Sequence, residues 1–176
     1  HGCRHARVHS LKLFGGHVDM IDDIVGLRRV LMEYKTVAMV GLSASWHRPS
    51  FFAAKYLQEH GYRVIPVSPR YDEILGEKCY PSLADIPEPV DIVDCFRRAE
   101  EIPALAHQAV EIGAKLLWMQ LGINNPQATD IAEAAGVEVV ADRCMKIEYG
   151  RLFGGLGYCG VDTKIVSAKR PILAPR

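Results

Sequence analysis

The sequence predicts a single α/β domain, in which a mostly parallel, doubly wound β-sheet carries helices on both faces. Short apolar runs rich in valine alternate with segments of helical periodicity through most of the chain, as in a parallel sheet with crossover helices. The apolar runs show little polar alternation, as expected of strands that are buried on both faces. The length of 176 residues suits one domain with its own core.

The predicted fold begins with a helix and a strand. Residues 20–34 place apolar side chains at helical spacing, with Asp22 and Asp23 in the first turn, where acids interact favourably with the helix dipole. Residues 36–42, TVAMVGL, form a valine-rich run that predicts a buried strand. Pro49 then begins the second helix, because the N–H that proline lacks has no partner at that position.

The rest of the chain continues this alternation. The second helix ends at Gly61, since glycine is favoured just after a helix. Further strands are predicted at 62–67, 90–96, 115–121 and 136–141, a short edge strand within 76–81, and helices at 101–113 and 126–135. We therefore place one domain at 20–150, an extension interpreted as non-native at 1–19, and a glycine-rich, then basic tail at 151–176.

Composition argues against several classes of protein. Lysine plus arginine and aspartate plus glutamate both total 21, so no strong overall charge attracts nucleic acid or an anionic membrane surface. No apolar run is long enough to span a bilayer. The five cysteines are widely spaced, without CxxC or zinc-like Cys/His spacing. This pattern favours reduced thiols in a cytoplasmic protein and predicts no metal site.

The fold class also predicts where a ligand binds. In a doubly wound sheet the ligand lies beyond the carboxyl ends of the strands, at the point where the strand order reverses. Four loops follow predicted strands there, at residues 41–50, 67–70, 96–98 and 120–124. The candidate ligand-binding residues in these loops are Gly41, Ser43, Ser45, Arg48, Pro49, Ser50, Val67, Ser68, Arg70, Phe96, Arg97, Arg98, Gln120, Gly122 and Ile123.

These loops favour a polyanionic ligand with an apolar part. Main-chain N–H groups and serine hydroxyls at a helix start suit a phosphate, although Ser50 is equally consistent with simple helix capping. Arg70 stands where an NAD enzyme carries an acid for the ribose hydroxyls, and a cation there favours a phosphorylated ribose. Phe96 offers an aromatic face, while the guanidinium groups of Arg97 and Arg98 pair well with phosphate oxygens. The four loops contain no carboxylate.

A family resemblance is carried by four stretches in order: VGLS…RPSFFAAKYLQEHGYRVIPVSP, ILGEKCYPSLADIPEPVDIVDCFRR, LWMQLGI and DRCMKIEY. Residues from about 27 to 150 resemble the small stand-alone CoA-binding proteins, the YccU-like family. The Rossmann-like fold of that family is related to the CoA-binding domain of the succinyl-CoA synthetase alpha subunit. The chain departs from the family pattern at Ala44, Ser68 and Cys95, and the first two changes remove side-chain hydrogen-bonding options.

The resemblance implies that coenzyme A, or a short acyl-CoA, is the ligand. It implies the pyrophosphate at Gly41 and residues 48–50, the 3′-phosphate side at Ser68 and Arg70, the adenine at Phe96 and Arg97, and the pantetheine arm at Gln120 and Gly122. The expected partner is therefore this small molecule. A homodimer or an unknown protein partner is left open.

Binding without catalysis is the predicted function, and no catalytic residue is assigned. An acyl-CoA ligase of the synthetase type needs a second domain and a phosphorylated histidine, and no histidine follows His107. The alternative is an NAD(P)-binding oxidoreductase or a nucleotide-responsive regulator on the same fold. Against it stand the missing GxGxxG and the missing acid after the second predicted strand. A structural protein that has lost its ligand is a third possibility, because fold does not fix function.

One cysteine carries a separate hypothesis. Cys144 follows the last predicted strand, so its thiol is a candidate for a mixed disulfide with CoA. Arg143 and Lys146 flank it and are expected to lower its pKa. A packed, unreactive cysteine is the alternative.

Overall fold

A computed structural model describes residues 20–154. The predictions for the extension at 1–19 and for the tail after residue 154 lie outside the described residues. Within the described part of the chain, no helix has the length and apolar character needed to cross a bilayer.

Within residues 20–154, seven strands form two sheets. They are β1 (Thr36–Val40), β2 (Arg63–Val67), β3 (Glu73–Ile74), β4 (Glu77–Lys78), β5 (Ile92–Cys95), β6 (Leu116–Met119) and β7 (Glu138–Val140). Five of them build the central sheet in the order β2-β1-β5-β6-β7, and all four neighbouring pairs are parallel. The strand order reverses between β1 and β5, which confirms the predicted doubly wound fold. The short strand predicted within 76–81 is β4, which forms a hairpin with β3, and Tyr80 just after it forms a parallel bridge with Val67 at the end of β2.

In the described part of the chain, five α-helices cover the central sheet. They are α1 (Ile24–Glu33), α2 (Pro49–Glu59), α3 (Ile102–Glu111), α4 (Pro126–Ala134) and α5 (Met145–Phe153). Alternate strand residues point to opposite faces, so Val37 and Met39 join the core under α1, α2 and α5. Ala38 and Val40 join the second core, under α3 and α4. Helices therefore lie on both faces, as the sequence predicts.

The first helix starts later than the apolar spacing suggests. Asp23 is its N-cap, and the Asp23 carboxylate accepts a hydrogen bond from the Gly26 main-chain N–H at 2.8 Å. Residues before this cap follow the sheet instead, because the Ile21 N–H donates to the Val139 carbonyl oxygen at 2.8 Å. The prediction that Asp22 and Asp23 occupy the first helical turn is therefore wrong.

The last helix, α5, was not predicted. It crosses the boundary that the sequence suggests at residue 150 and reaches Phe153. Glu148 on this helix is buried and forms ion pairs with Arg143 and Arg151, while the buried Met145 packs into the core shared with α1 and α2. These contacts fix α5 beside the carboxyl ends of the strands.

Candidate functional site

A cleft of about 980 Å³ opens at the carboxyl edge of the sheet, where the strand order reverses. We call it the main cleft. Its lining includes eight of the predicted residues: Pro49, Arg70, Phe96, Arg97, Arg98, Gln120, Ile123 and Cys144. It also includes six that were not predicted: His47, Phe52, Glu101, Leu121, Lys146 and Ile147. The α5 residues among them were missed because α5 itself was missed.

Gly41 allows the ends of β1 and β5 to approach each other. It has a φ of +87°, and a Cβ atom there would lie 2.4 Å from the Phe96 carbonyl oxygen and 3.2 Å from Arg97 Nε. Its N–H donates to the Val67 carbonyl oxygen at 3.0 Å, which ties the same residue to β2. A side chain at this position would push apart the strand ends that form the base of the site.

A smaller cavity of about 360 Å³, the loop cavity, adjoins the main cleft at the start of α2. Gly41, Ser43, Arg48, Ser50 and Arg70 are among its lining residues. The Ser50 hydroxyl accepts a hydrogen bond from the Ser43 N–H at 3.2 Å and so closes the loop across seven residues. Because a hydroxyl that accepts a bond still has its own hydrogen, it can also donate to an anion.

Two further cavities lie beside Arg97. One, of about 310 Å³, faces α3 and is lined mainly by apolar side chains, including Val40, Val67 and Leu105; we call it the α3 cavity. The other, of about 100 Å³, includes Ser68 and Arg70. Arg97 lines the main cleft and both of these cavities, so this residue lies where three spaces meet.

The predicted arginines differ in their partners. Within residues 20–154 no acid forms an ion pair with Arg48, Arg70 or Arg97. Arg98, in contrast, pairs with Glu100 at 3.4 Å and Glu101 at 3.1 Å, and its side chain is 76% exposed. Three of the four arginines are therefore available to an anionic ligand, whereas Arg98 is engaged by neighbouring acids.

Two predicted residues lie outside the cavities described above. Ser45 donates its N–H to the Ser43 hydroxyl at 3.2 Å and supports the loop. Gly122 was expected to let a ligand approach, but its N–H donates to the Asp142 carboxylate at 2.7 Å, in a turn with a φ of +82°. In the structure both residues shape the turns that carry their neighbours.

A hydrogen bond between Gln120 and a buried acid beneath the main cleft was not predicted. Asp94 lies inside β5 and is completely buried, and the Gln120 Nε2 atom donates to its Oδ1 atom at 2.7 Å. Burial raises the pKa of Asp94 to about 7, against the opposing effects of the Gln120 hydrogen bond and the Cys95 main-chain amide. An acid within an otherwise apolar strand was the signal in the sequence.

Cys144 lines the main cleft as predicted, but its ionisation differs from the prediction. It is the N-cap residue of α5. Burial raises the pKa of the thiol above its ordinary value, and the nearby Asp94 adds to this effect. The main-chain amides of Ile147 and Lys146 and the charge of Lys146 oppose the rise without reversing it. The prediction of a lowered pKa is therefore wrong.

A comparison with protein families now bears on this geometry. The model of the CoA binding domain family matches residues 35–150, which is more than half of the chain. The chain belongs to the CoA binding domain family. The match includes the loop after β1, the loop after β5 and the start of α5, which together surround the main cleft.

Relatives of this CoA-binding domain fall into two kinds. One is the uncharacterized protein YneT of Bacillus subtilis, 38% identical over 70% of this chain and 91% of YneT. The other kind is represented by the ADP-forming acetate–CoA ligase II of Archaeoglobus fulgidus, 32% identical over 64% of this chain. The matched region is only 17% of the ligase.

Solved structures of small proteins share the fold. A hypothetical protein from Pyrococcus horikoshii matches 74% of this chain and 92% of its own, with a TM-score of 0.73 and 43% identity. A protein from Thermus thermophilus matches 75% of this chain and 100% of its own, with a TM-score of 0.72 and 39% identity. The described domain thus corresponds to nearly the whole of each of these proteins.

Proposed function

We propose that this domain binds coenzyme A, or a short acyl-CoA, in the main cleft and its adjoining cavities without turning it over. The observation that carries the proposal is the convergence of Arg48, Arg70 and Arg97, without acidic partners in residues 20–154, on the glycine-bounded loop beside an apolar cleft. A polyanion joined to an apolar chain matches this combination.

The phosphates fit the loop cavity. The Ser43 and Ser50 hydroxyls and the guanidinium groups of Arg48 and Arg70 line one space at the start of α2, and such groups bind phosphate oxygens. Ser68 and Arg70 share the neighbouring cavity, which suits the 3′-phosphate. Arg70 lines both spaces, so one side chain can contact two phosphate groups.

The remaining parts of the ligand fit the other spaces. The α3 cavity has apolar walls at Val67 and Leu105 and polar groups at Ser82 and Gln108, a combination suited to a flat nitrogenous ring such as adenine. The main cleft, with Phe52, Ile123 and Ile147 among its lining residues, leads to Gln120 and Cys144. That path suits the pantetheine arm and its thiol.

Absence of turnover is part of the proposal. The chain matches only the share of the acetate–CoA ligase given above, so the ligase activity is not carried over to this domain. The residues near the expected thiol end are an amide and a thiol whose pKa is raised, rather than a nucleophile activated by an adjacent base.

Calorimetric titration with CoA, dephospho-CoA and NAD tests the proposal. We expect CoA to bind, and dephospho-CoA to bind about tenfold more weakly, because one charge-assisted contact is lost. Arg70→Gln should weaken CoA binding by about tenfold and remove the preference for CoA over dephospho-CoA. Lys55→Gln is the matched control, since Lys55 is exposed on α2 and lies outside the lining of the cleft.

Each other outcome points elsewhere. Binding of NAD with no binding of CoA would replace the proposal with the nucleotide-dependent oxidoreductase or regulator. No binding of any of the three ligands would indicate a scaffold that has kept the fold and lost the ligand. Equal effects of Arg70→Gln and Lys55→Gln on CoA binding would place the 3′-phosphate elsewhere.

A further inference from the structure

The buried pair of Asp94 and Gln120 has an unusual environment. Asp94 lies in the middle of the parallel sheet, with Met39 of β1 and Trp118 of β6 as its register partners on either side. Its Oδ2 atom has no hydrogen-bond partner in the described chain, and its Oδ1 atom is contacted by Gln120. Burial of an acid without a cationic partner is unfavourable, so a well-packed apolar residue would serve the sheet better.

The pair determines which way the Gln120 amide points. The Oδ1 atom of Asp94 accepts a hydrogen bond, so it selects the NH₂ end of the Gln120 amide. The 2.7 Å contact between Nε2 and Oδ1 has this orientation. The other end, Oε1, accepts no hydrogen bond from residues 20–154, and Gln120 lines the main cleft. The cleft therefore presents a hydrogen-bond acceptor whose direction is set from below.

We propose that Asp94 is a positioning residue, which holds the Gln120 carbonyl oxygen toward the main cleft so that it accepts a hydrogen bond from an amide N–H of the pantetheine arm. This inference rests on the proposed function. Leu121, Ile123 and Ile147 also line the cleft and have no side-chain acceptor. An amide N–H that leaves water there needs a partner, because a buried donor without one costs affinity.

The consequence is a form of selectivity along the ligand. In this proposal, Arg70 and the loop cavity bind the nucleotide part of CoA. Gln120 contacts the pantetheine arm, which distinguishes CoA from other adenine nucleotides. Removing the Asp94–Gln120 contact should therefore weaken CoA binding and leave the affinity for a nucleotide without the pantetheine arm unchanged.

The test compares CoA with adenosine 3′,5′-bisphosphate, which lacks the pantetheine arm, by calorimetry. Asp94→Ala and Gln120→Met should each weaken CoA binding by about tenfold, because one buried hydrogen bond is lost. Each should change the affinity for the bisphosphate by less than about twofold. Gln127→Met, at an exposed position on α4, is the matched control and should change neither.

A second measurement needs no ligand and detects the positioning itself. The side-chain NH₂ signals of Gln120 in ¹⁵N-labelled protein should shift with a midpoint near pH 7, as Asp94 titrates. Asp94→Asn should abolish this transition while the rest of the spectrum is kept. The thiols of Cys95 and Cys144 lie close to Asp94, but burial raises the pKa of each above its ordinary value, so they do not titrate in this range.

The outcomes separate the two proposals. The positioning role would be overturned if Asp94→Ala and Gln120→Met lost affinity for CoA and the bisphosphate equally, or lost affinity for neither. In that case, CoA binding by the unaltered protein would still stand. Gln120 signals that do not respond to pH would also overturn it. If the unaltered protein binds no CoA, the proposed function fails, and the inference about the pantetheine arm fails with it.

Discussion

Replacing Gly41 by alanine tests the geometry of the strand ends directly. The substitution adds one carbon atom, which would lie 2.4 Å from the Phe96 carbonyl oxygen, far inside van der Waals contact. The atom that it meets belongs to the main chain of the segment after β5, so no side chain can rotate away. Relief requires that the loop after β1 or the segment after β5 moves.

The size of the effect can be separated into two parts. A φ of +87° is strained for alanine, and the left-handed region costs about 1–2 kcal/mol. Forcing an atom into a well-packed region adds about 1–3 kcal/mol. The first part is shared by Gly61→Ala, where φ is +83° and nothing lies within 4 Å of the added carbon. The difference between the two variants therefore measures the close approach alone.

Urea unfolding of the two variants and the unaltered protein measures these costs. We expect Gly41→Ala to lose about 1–3 kcal/mol more in free energy of unfolding than Gly61→Ala. Calorimetry should show that Gly41→Ala also loses CoA affinity, because the shifted main chain borders both the loop cavity and the smallest cavity. Gly61→Ala should bind CoA like the unaltered protein.

The reasoning would be refuted by equal losses of stability in the two variants. That result would mean that the strand ends separate without cost and that Gly41 is needed only for its backbone angle. Retained CoA affinity in Gly41→Ala, together with the expected loss of stability, would show that the ligand does not depend on this approach.

Three further predictions concern the charged and titratable side chains. Urea unfolding should show that, between pH 5 and pH 8, the unaltered protein loses a few kcal/mol of unfolding free energy relative to Asp94→Asn. The reason is that Asp94 keeps its proton up to about pH 7 in the folded protein, whereas in the unfolded chain it releases the proton near pH 3.8. In calorimetry, Arg97→Gln should weaken the binding of both CoA and adenosine 3′,5′-bisphosphate by about tenfold. Arg98→Gln should change either affinity by less than about twofold, because the Arg98 guanidinium group already pairs with two glutamates. With CoA disulfide, the Cys144 thiolate should break the disulfide bond, form a mixed disulfide with one CoA and release the other CoA as a thiolate. Intact mass should show this adduct, Cys144→Ser should abolish it, and it should form faster at higher pH because burial raises the pKa of the thiol. Equal adduct in both proteins would reject Cys144 as the site.

The sequence allowed the central sheet to be predicted because its strands are buried on both faces. Such strands need continuous apolar runs, and the runs at β1, β2 and β6 differ from the structure by at most two residues at either end. The loops after these strands could then be placed at one edge, since parallel strands end together. That reasoning brought Arg70, Phe96 and Gln120 to the same cleft.

The parts that could not be predicted depend on contacts between distant segments. The helix α5 has Gly150 within it, a residue that weakens helices, and it is held by buried ion pairs of Glu148 that periodicity does not reveal. Asp94 sits in an apolar run and was therefore treated as part of a strand. Its role depends on Gln120, which lies 26 residues away. The pKa of Cys144 depends on burial, which the flanking charges alone do not show.

The position of α5 has a consequence for the order in which the site is completed during synthesis. The loop after β1, with its arginine and serines, leaves the ribosome about a hundred residues before Cys144, Lys146 and Ile147, which form one wall of the main cleft. A nascent chain that ends before α5 has the loop after β1 and lacks that wall. The main cleft is therefore complete only when α5 docks, whereas every residue that lines the loop cavity precedes α5 in the chain.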